Sequence, residues 1–165
     1  PCPASRRPRL AAARAPIARF SRVMGRHFSQ PLPLVFTSVD QVLSLAPALP
    51  LAIADALSKL LPGPVTVIIP FKEGTGGIVV PGGGSAGVRI IPPPAGDIYM
   101  GIPGPLVVTS ANLSGLPDPV DARDIPTELL DVCEFVVDAG PCGHGIPSTV
   151  VDLRPLAAGE RAPRH

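Results

Sequence analysis

Short apolar runs recur along the chain, and turn-forming or polar residues bound each of them. Runs of this length that are rich in Val and Ile predict β-strands. The clearest run is Val65-Thr66-Val67-Ile68-Ile69, which follows Pro62-Gly63-Pro64. The same pattern predicts further strands at residues 32–36, 87–91, 106–109, 135–137 and 149–151.

Apolar residues at helical spacing lie between these runs. Ser38 and Gln41 resemble a capping box and predict a helix at 39–45. Residues 51–61 predict a second helix with one polar side. Shorter helices are predicted at 16–23, 97–100 and 125–132. Because strands and helices interleave, we expect an α/β or α+β domain with helices on at least one face of a sheet.

The composition fits a folded domain. The chain has 165 residues, of which 45% are apolar and 16% charged, so it has enough apolar side chains for a core. Aromatic residues make up only 4%, so the core must consist mainly of aliphatic side chains. No apolar run is long enough to span a membrane, and we expect a soluble protein of the cytoplasm.

Charge is distributed unevenly despite a net charge of +1. No Asp or Glu precedes Asp40, whereas seven arginines do: Arg6, Arg7, Arg9, Arg14, Arg19, Arg22 and Arg26. Such a segment fits a transit peptide for an organelle such as the mitochondrion, a basic arm for nucleic acid, or unrelated sequence at the edge of a fragment. Since the chain begins with Pro1 rather than Met, we favour the last and expect residues 1–18 to be disordered or foreign to the domain.

The three cysteines, Cys2, Cys133 and Cys142, are irregularly spaced and include no C-x-x-C pair. This spacing predicts neither a disulfide framework nor a structural zinc site. Cys142 and His144 form a C-x-H pair that no second pair completes. We interpret both as ordinary loop residues and predict no metal ligand from the protein.

Small hydroxyl and amide side chains gather where predicted strands begin or end, at residues 85–89, 107–112 and 147–152. Ligands of open α/β sheets bind at strand ends, and Arg89 adds a guanidinium fork suited to carboxylate or phosphate. Each feature alone also has a plainer interpretation, because Ser and Asn form turns and an Arg in a strand is often a solvated edge charge. No P-loop, catalytic triad or carboxylate pair is evident. We therefore expect a site that positions and neutralises substrates without a side-chain nucleophile.

Five motifs in a fixed order resemble one family, the YrdC-like threonylcarbamoyl-adenylate synthases. They are Pro62-Gly63-Pro64-Val65-Thr66-Val67, Gly87-Val88-Arg89-Ile90, Thr109-Ser110-Ala111-Asn112-Leu113-Ser114-Gly115, Gly140-Pro141-Cys142 and Pro147-Ser148-Thr149-Val150-Val151-Asp152. The resemblance covers roughly residues 19–152. It implies an open, twisted mixed sheet with flanking helices and a concave ligand cavity. The domain would span residues 19–153, and a tail would follow at 154–165.

The resemblance also implies an activity. Members of the family convert L-threonine, bicarbonate and ATP into threonylcarbamoyl-adenylate and pyrophosphate, and the product serves the threonylcarbamoyl modification of tRNA adenosine. Mg²⁺ would be held mainly by the ATP phosphates. The further partners it suggests are tRNA or double-stranded RNA and the downstream threonylcarbamoyl transferase.

Site residues follow from the same resemblance. The ATP-binding positions fall on Arg26, Ser85, Ser110, Asn112, Asp118 and Arg161. The threonine-binding positions fall on Arg89, Thr109 and Ser148. Two positions depart from the family, because Met24 stands where a Lys is usual and Asp118 where a Ser is usual.

The family's first strand carries a P-T-D-T-x-Y-G-L motif that nothing in residues 1–20 matches. We therefore expect the chain to lack one strand, one helix and part of the substrate pocket. A second hypothesis is a non-catalytic RNA-binding or regulatory module on the same fold. A third is the related domain of hydrogenase-maturation carbamoyltransferases, but their acylphosphatase-like and zinc-finger segments are not visible in the sequence.

Overall fold

The computed structural model describes residues 18–19, 21–25, 32–46, 49–71, 84–93, 96–97, 102, 104–142 and 148–157. Its strands are β1 (Leu34–Phe36), β2 (Val65–Pro70), β3 (Ser85–Ile90), β4 (Leu106–Val107) and β5 (Thr149–Asp152). Its helices are α1 (Val39–Leu45), α2 (Leu51–Leu60), α3 (Thr127–Leu130) and α4 (Arg154–Ala157), with a 3₁₀ turn at Ala122–Asp124. Residues 18–19 and 21–23 are also helical.

Within the described residues, five strands form one open mixed sheet in the order β4-β1-β3-β2-β5. β1 and β3 are parallel, with Leu34 aligned to Val88, and β2 runs antiparallel to β3, with Val67 opposite Val88. β4 is antiparallel to β1, and β5 is parallel to β2. β3 therefore lies at the centre of the sheet, which confirms the predicted open mixed α/β architecture.

Alternation along the strands gives the sheet one buried face and one open face. In β3 the even-numbered residues from Ala86 to Ile90 are buried in the core, whereas Ser85, Gly87 and Arg89 point to the other side. Helices α1, α2 and α4 pack against β1 and β2. Their core residues include Val42, Ile53 and Leu57, with Leu156 packed against the cluster. The helices thus cover the buried face.

Local sequence explains where α1 begins. Ser38 Oγ accepts a hydrogen bond from the backbone N–H of Gln41 at 3.1 Å, which satisfies one of the free donors of the first turn. Gln41 Oε1 accepts in turn from the N–H of Thr37 at 2.9 Å, one residue before the cap. The predicted helix at 39–45 is confirmed, and the predicted helix at 51–61 ends one residue early, at Leu60.

Two predicted elements are shorter in the structure. The strand predicted at 106–109 ends at Val107. The N–H of Val108 still donates to the carbonyl of Pro33 at 3.0 Å, but Pro33 has no N–H with which to continue the ladder.

The helix predicted at 125–132 spans only Thr127–Leu130. The residue before Pro126 is disfavoured in helical conformation, so the helix begins after the proline. The N–H groups of Val132 and Cys133 donate to carbonyls three residues earlier, which tightens the end into a 3₁₀ turn.

The strand predicted at 135–137 is wrong. Phe135, Val136 and Val137 belong to no strand and are 78%, 52% and 61% exposed. A run of β-forming residues becomes a strand only where another strand pairs with its backbone, and none of the described strands does so.

Several predictions lie outside the described residues, among them almost all of the segment at 1–18 that we expect to be disordered, and most of the helix predicted at 97–100. Among the described residues, no helix combines the length and apolarity needed to cross a bilayer.

Candidate ligand-binding site

The open face of the sheet holds a cavity of about 630 Å³. Strands β2, β3 and β5 form its floor, and the segment after β4 forms one wall. The polar residues among its lining are Thr66, Ser85, Arg89, Thr109, Ser110, Asp118, Ser148 and Arg154. The volume is in the range of cavities that bind small molecules.

Gly87 lies in the floor of this cavity and adds no side chain that would fill it. A Cβ atom at this position would lie 3.0 Å from Thr66 Cγ2 and 3.5 Å from Pro33 Cβ. The first distance is shorter than ordinary van der Waals contact, so any larger residue would displace Thr66 or fill the cavity. Glycine at this position therefore leaves room for a ligand between its neighbours Ser85 and Arg89.

Arg89 lies on the central strand, aligned with Val35 of β1. Its Nε atom is buried and has no hydrogen-bond partner among the described residues. The interpretation of Arg89 as a solvated edge charge is therefore wrong. A buried N–H of a guanidinium without an acceptor is costly, and a carboxylate or phosphate oxygen in the cavity would satisfy it.

Thr109 contributes a second unsatisfied atom, since its Oγ1 is also buried and without a partner in the described part of the chain. It lies two residues after the end of β4, and the backbone bond from Val108 to Pro33 fixes the wall that carries it. Both buried polar atoms without partners thus belong to residues that line the same cavity.

Ser148 and Thr66 meet at the β5 side of the cavity. Ser148 immediately precedes β5, and its Oγ lies 2.8 Å from Thr66 Oγ1. The pairing of β2 with β5 brings the two hydroxyls together, although 82 residues separate them in sequence.

Ser110 and Asn112 hold the turn after β4 together. Ser110 Oγ donates to Asn112 Oδ1 at 2.5 Å, and Asn112 Nδ2 donates to the carbonyl of Leu116 at 2.6 Å. Asn112 is buried, so these contacts support the turn-forming interpretation of both residues. Ser110 also lines the main cavity, whereas Asn112 lines an adjacent cavity of about 340 Å³.

Charge at the rim comes from Asp118 and from a pair that follows β5. Asp118 is exposed and lines both cavities. Arg154 Nη2 lies 2.6 Å from Asp152 Oδ2. Hydrogen bonds from the side chain and the backbone N–H of Arg154 lower the pKa of Asp152. Arg154 therefore brings less net positive charge to the rim than an unpaired arginine would.

The structure brings six of the nine predicted site residues to the main cavity: Ser85, Arg89, Thr109, Ser110, Asp118 and Ser148. Asn112 lies in the adjacent cavity, and Arg26 and Arg161 lie outside the described residues. Sequence reasoning missed Thr66, although it is the one polar side chain in the run at 65–69, and it missed Arg154. The His, Cys, Asp and Glu side chains of the described residues form no group of three that would hold a metal ion.

A family model described as Telomere recombination, and named for Sua5, YciO and YrdC, matches residues 10–161. Threonylcarbamoyl-AMP synthase of Pyrococcus abyssi is 28% identical over 141 residues, covering 83% of this chain and 41% of that protein. A putative threonylcarbamoyl-AMP synthase of Methanocaldococcus jannaschii is 30% identical over 137 residues, covering 83% and 64%. The chain thus spans between about two fifths and two thirds of these relatives' lengths.

The crystal structure of P. abyssi Sua5 complexed with L-threonine superimposes with a TM-score of 0.69 at 29% identity. The match covers 83% of this chain and 41% of that one. Sequence and backbone therefore agree over most of the chain. On this evidence the chain belongs to the Sua5/YciO/YrdC family.

Proposed function

We propose that this domain is the catalytic unit of an L-threonylcarbamoyladenylate synthase, a nucleotidyltransferase that uses L-threonine, bicarbonate and ATP. The observation that carries the proposal is the pair of buried, unsatisfied atoms, Arg89 Nε and Thr109 Oγ1, in one cavity. Its relatives named threonylcarbamoyl-AMP synthase, and the one solved with L-threonine, supply the substrate class.

L-threonine fits the polar atoms of the cavity. Its carboxylate would accept hydrogen bonds from the Arg89 guanidinium, which removes the cost of the unsatisfied Nε. Thr109 and Ser148 offer hydroxyls that can either donate or accept. Together these contacts would fix the amine so that it captures bicarbonate as a carbamate, with loss of water.

ATP would lie toward the turn after β4. The carbamate oxygen attacks the α-phosphorus, and pyrophosphate leaves. Ser85, Ser110 and Asn112, with Arg26 and Arg161, are the residues proposed to contact the nucleotide. Mg²⁺ bound to the phosphates would neutralise the charge that develops on their oxygens.

Pyrophosphate release tests this proposal. The purified chain is incubated with ATP, Mg²⁺, L-threonine and bicarbonate, and the expected result is release that stops when threonine or bicarbonate is omitted. D-threonine is the matched control, because it has the same groups in the wrong arrangement. Pyrophosphate release that does not depend on threonine would contradict the proposal.

One observation favours the second candidate, an RNA-binding or regulatory module. Met24 stands where the family usually has a Lys, and its thioether carries no charge, so this position adds no cation for the triphosphate. The Met24 side chain is buried in the structure. No pyrophosphate release together with salt-sensitive tRNA binding would support that candidate over the enzyme.

A further inference from the structure

Thr66 is the one polar residue in an otherwise apolar strand, and it is only 7% exposed. Its side chain lies on the cavity face, and the partner of its hydroxyl is Ser148, at 2.8 Å. A buried hydroxyl in the floor of a sheet needs a partner to offset its desolvation. Ser148 provides that partner and is itself proposed to contact the substrate.

Packing near Gly87 and strand pairing with β5 both restrict Thr66. Its methyl group faces Gly87, since a Cβ placed there would be 3.0 Å from Thr66 Cγ2. The strand that carries Thr66 is aligned with β5, where Thr66 pairs with Val150, and the N–H of Thr149 donates to the carbonyl of Pro64 at 3.1 Å. The hydroxyl of Thr66 is therefore fixed in position relative to Ser148.

We propose that Thr66 is a positioning residue, which sets the orientation of the Ser148 hydroxyl and thereby the affinity for L-threonine; this inference rests on the proposed function. A serine hydroxyl has one proton and two acceptor sites. The bond to Thr66 occupies one of these and pins the Ser148 Oγ in one rotamer. The substrate then meets a hydroxyl that is already ordered, and binding does not have to order it.

Thr66→Val tests the proposal, because valine keeps the shape and removes the hydroxyl. We expect the KM for L-threonine to rise about two- to tenfold, the loss of one neutral hydrogen bond, with kcat and the KM for ATP within about twofold of wild type. Thr66→Ser restores the hydroxyl and should restore the KM. Thr149→Val is the matched control, since it removes an exposed hydroxyl of the neighbouring strand and should change nothing.

Two outcomes would overturn the inference. One is an unchanged threonine KM in Thr66→Val. The other is a parallel loss of kcat and of affinity for both substrates, with a lowered Tm that Thr66→Ser does not rescue, which is the result of a purely structural role.

Calorimetric titration with L-threonine separates this inference from the proposed function. If the wild-type chain binds threonine without turnover, the ratio of Kd values between Thr66→Val and wild type tests the positioning role alone. If the wild-type chain binds no threonine, both the inference and the proposed function fail.

Discussion

Arg89 and Thr109 each have a buried polar atom without a partner among the described residues. Such an atom costs about 1–3 kcal/mol of stability, and native proteins contain few of them. A ligand with polar oxygen atoms in the cavity would satisfy both of them. We therefore expect these two side chains to contact the ligand.

Replacing Arg89 should weaken threonine binding more than any other single change in the cavity. Arg89→Lys keeps the charge but loses the fork, and Arg89→Ala loses both. We expect Arg89→Ala to raise the threonine KM about tenfold to a hundredfold, the loss of a charge-assisted hydrogen bond, with Arg89→Lys in between. Arg123→Ala is the control, because this exposed arginine pairs with Asp121 and does not line the cavity. A wild-type KM in Arg89→Ala would contradict the assignment.

Thr109→Val should separate stability from binding. Because the Thr109 hydroxyl has no partner among the described residues, removing it should leave the free energy of unfolding unchanged or raise it by up to about 1 kcal/mol. Added L-threonine should stabilise wild type more than the variant at the same concentration. Urea unfolding with and without threonine measures both effects. A variant that is destabilised without ligand would show that the hydroxyl already has a structural partner.

At the scale of elements, α1 depends on its N-terminal cap. Ser38→Ala removes the acceptor for the Gln41 N–H and should lower the free energy of unfolding by about 1 kcal/mol, without changing either KM. Ser44→Ala in the same helix is the control, because the exposed Ser44 hydroxyl only bonds back to the carbonyl of Gln41. Urea denaturation compares the two. An equal loss of unfolding free energy in both variants would contradict the role of Ser38 as the helix cap.

The pair at the end of β5 gives a pH prediction. Arg154 lowers the pKa of Asp152 below its ordinary value of 3.8, so the pair stabilises the fold above that value, and the contribution disappears as the pH falls through the lowered pKa. Arg154→Ala should raise the Asp152 pKa toward 3.8, as followed by NMR of the carboxyl carbon. The effect on stability should be small, because both side chains are substantially exposed.

The Asp121–Arg123 pair is the matched control for this titration, because Arg123 likewise lowers the pKa of Asp121. Arg123→Ala should raise the pKa of Asp121 and leave that of Asp152 in place. An Asp152 pKa that stays low in Arg154→Ala would show that another group is responsible.

Local patterns predicted most elements. The Val- and Ile-rich run at 65–69 and the cap at Ser38 predicted β2 and α1, because strand-forming composition and capping are encoded within a few residues. The run at 135–137 failed, because its β-forming side chains cannot specify whether a pairing strand exists. The strand predicted at 106–109 was too long, because Pro33, the residue that ends its ladder, is about 75 residues away in sequence.

At the scale of the whole molecule, the strand order brings residues that are distant in sequence together in one site. The Arg89 Nε atom is buried on the central strand β3, and Thr66 meets Ser148 because β2 pairs with β5. The motifs predicted nine site residues, and six of them line one cavity. Neither the central place of Arg89 nor the role of Thr66 follows from local sequence, since both depend on pairing between distant strands.

The measurement that tests the central claim most directly is mass spectrometry of the nucleotide products formed from ATP, L-threonine and ¹³C-bicarbonate. The account predicts an adenylate that contains both threonine and the labelled carbon, and its loss in Arg89→Ala. Nucleotide products without threonine or without the label would contradict it.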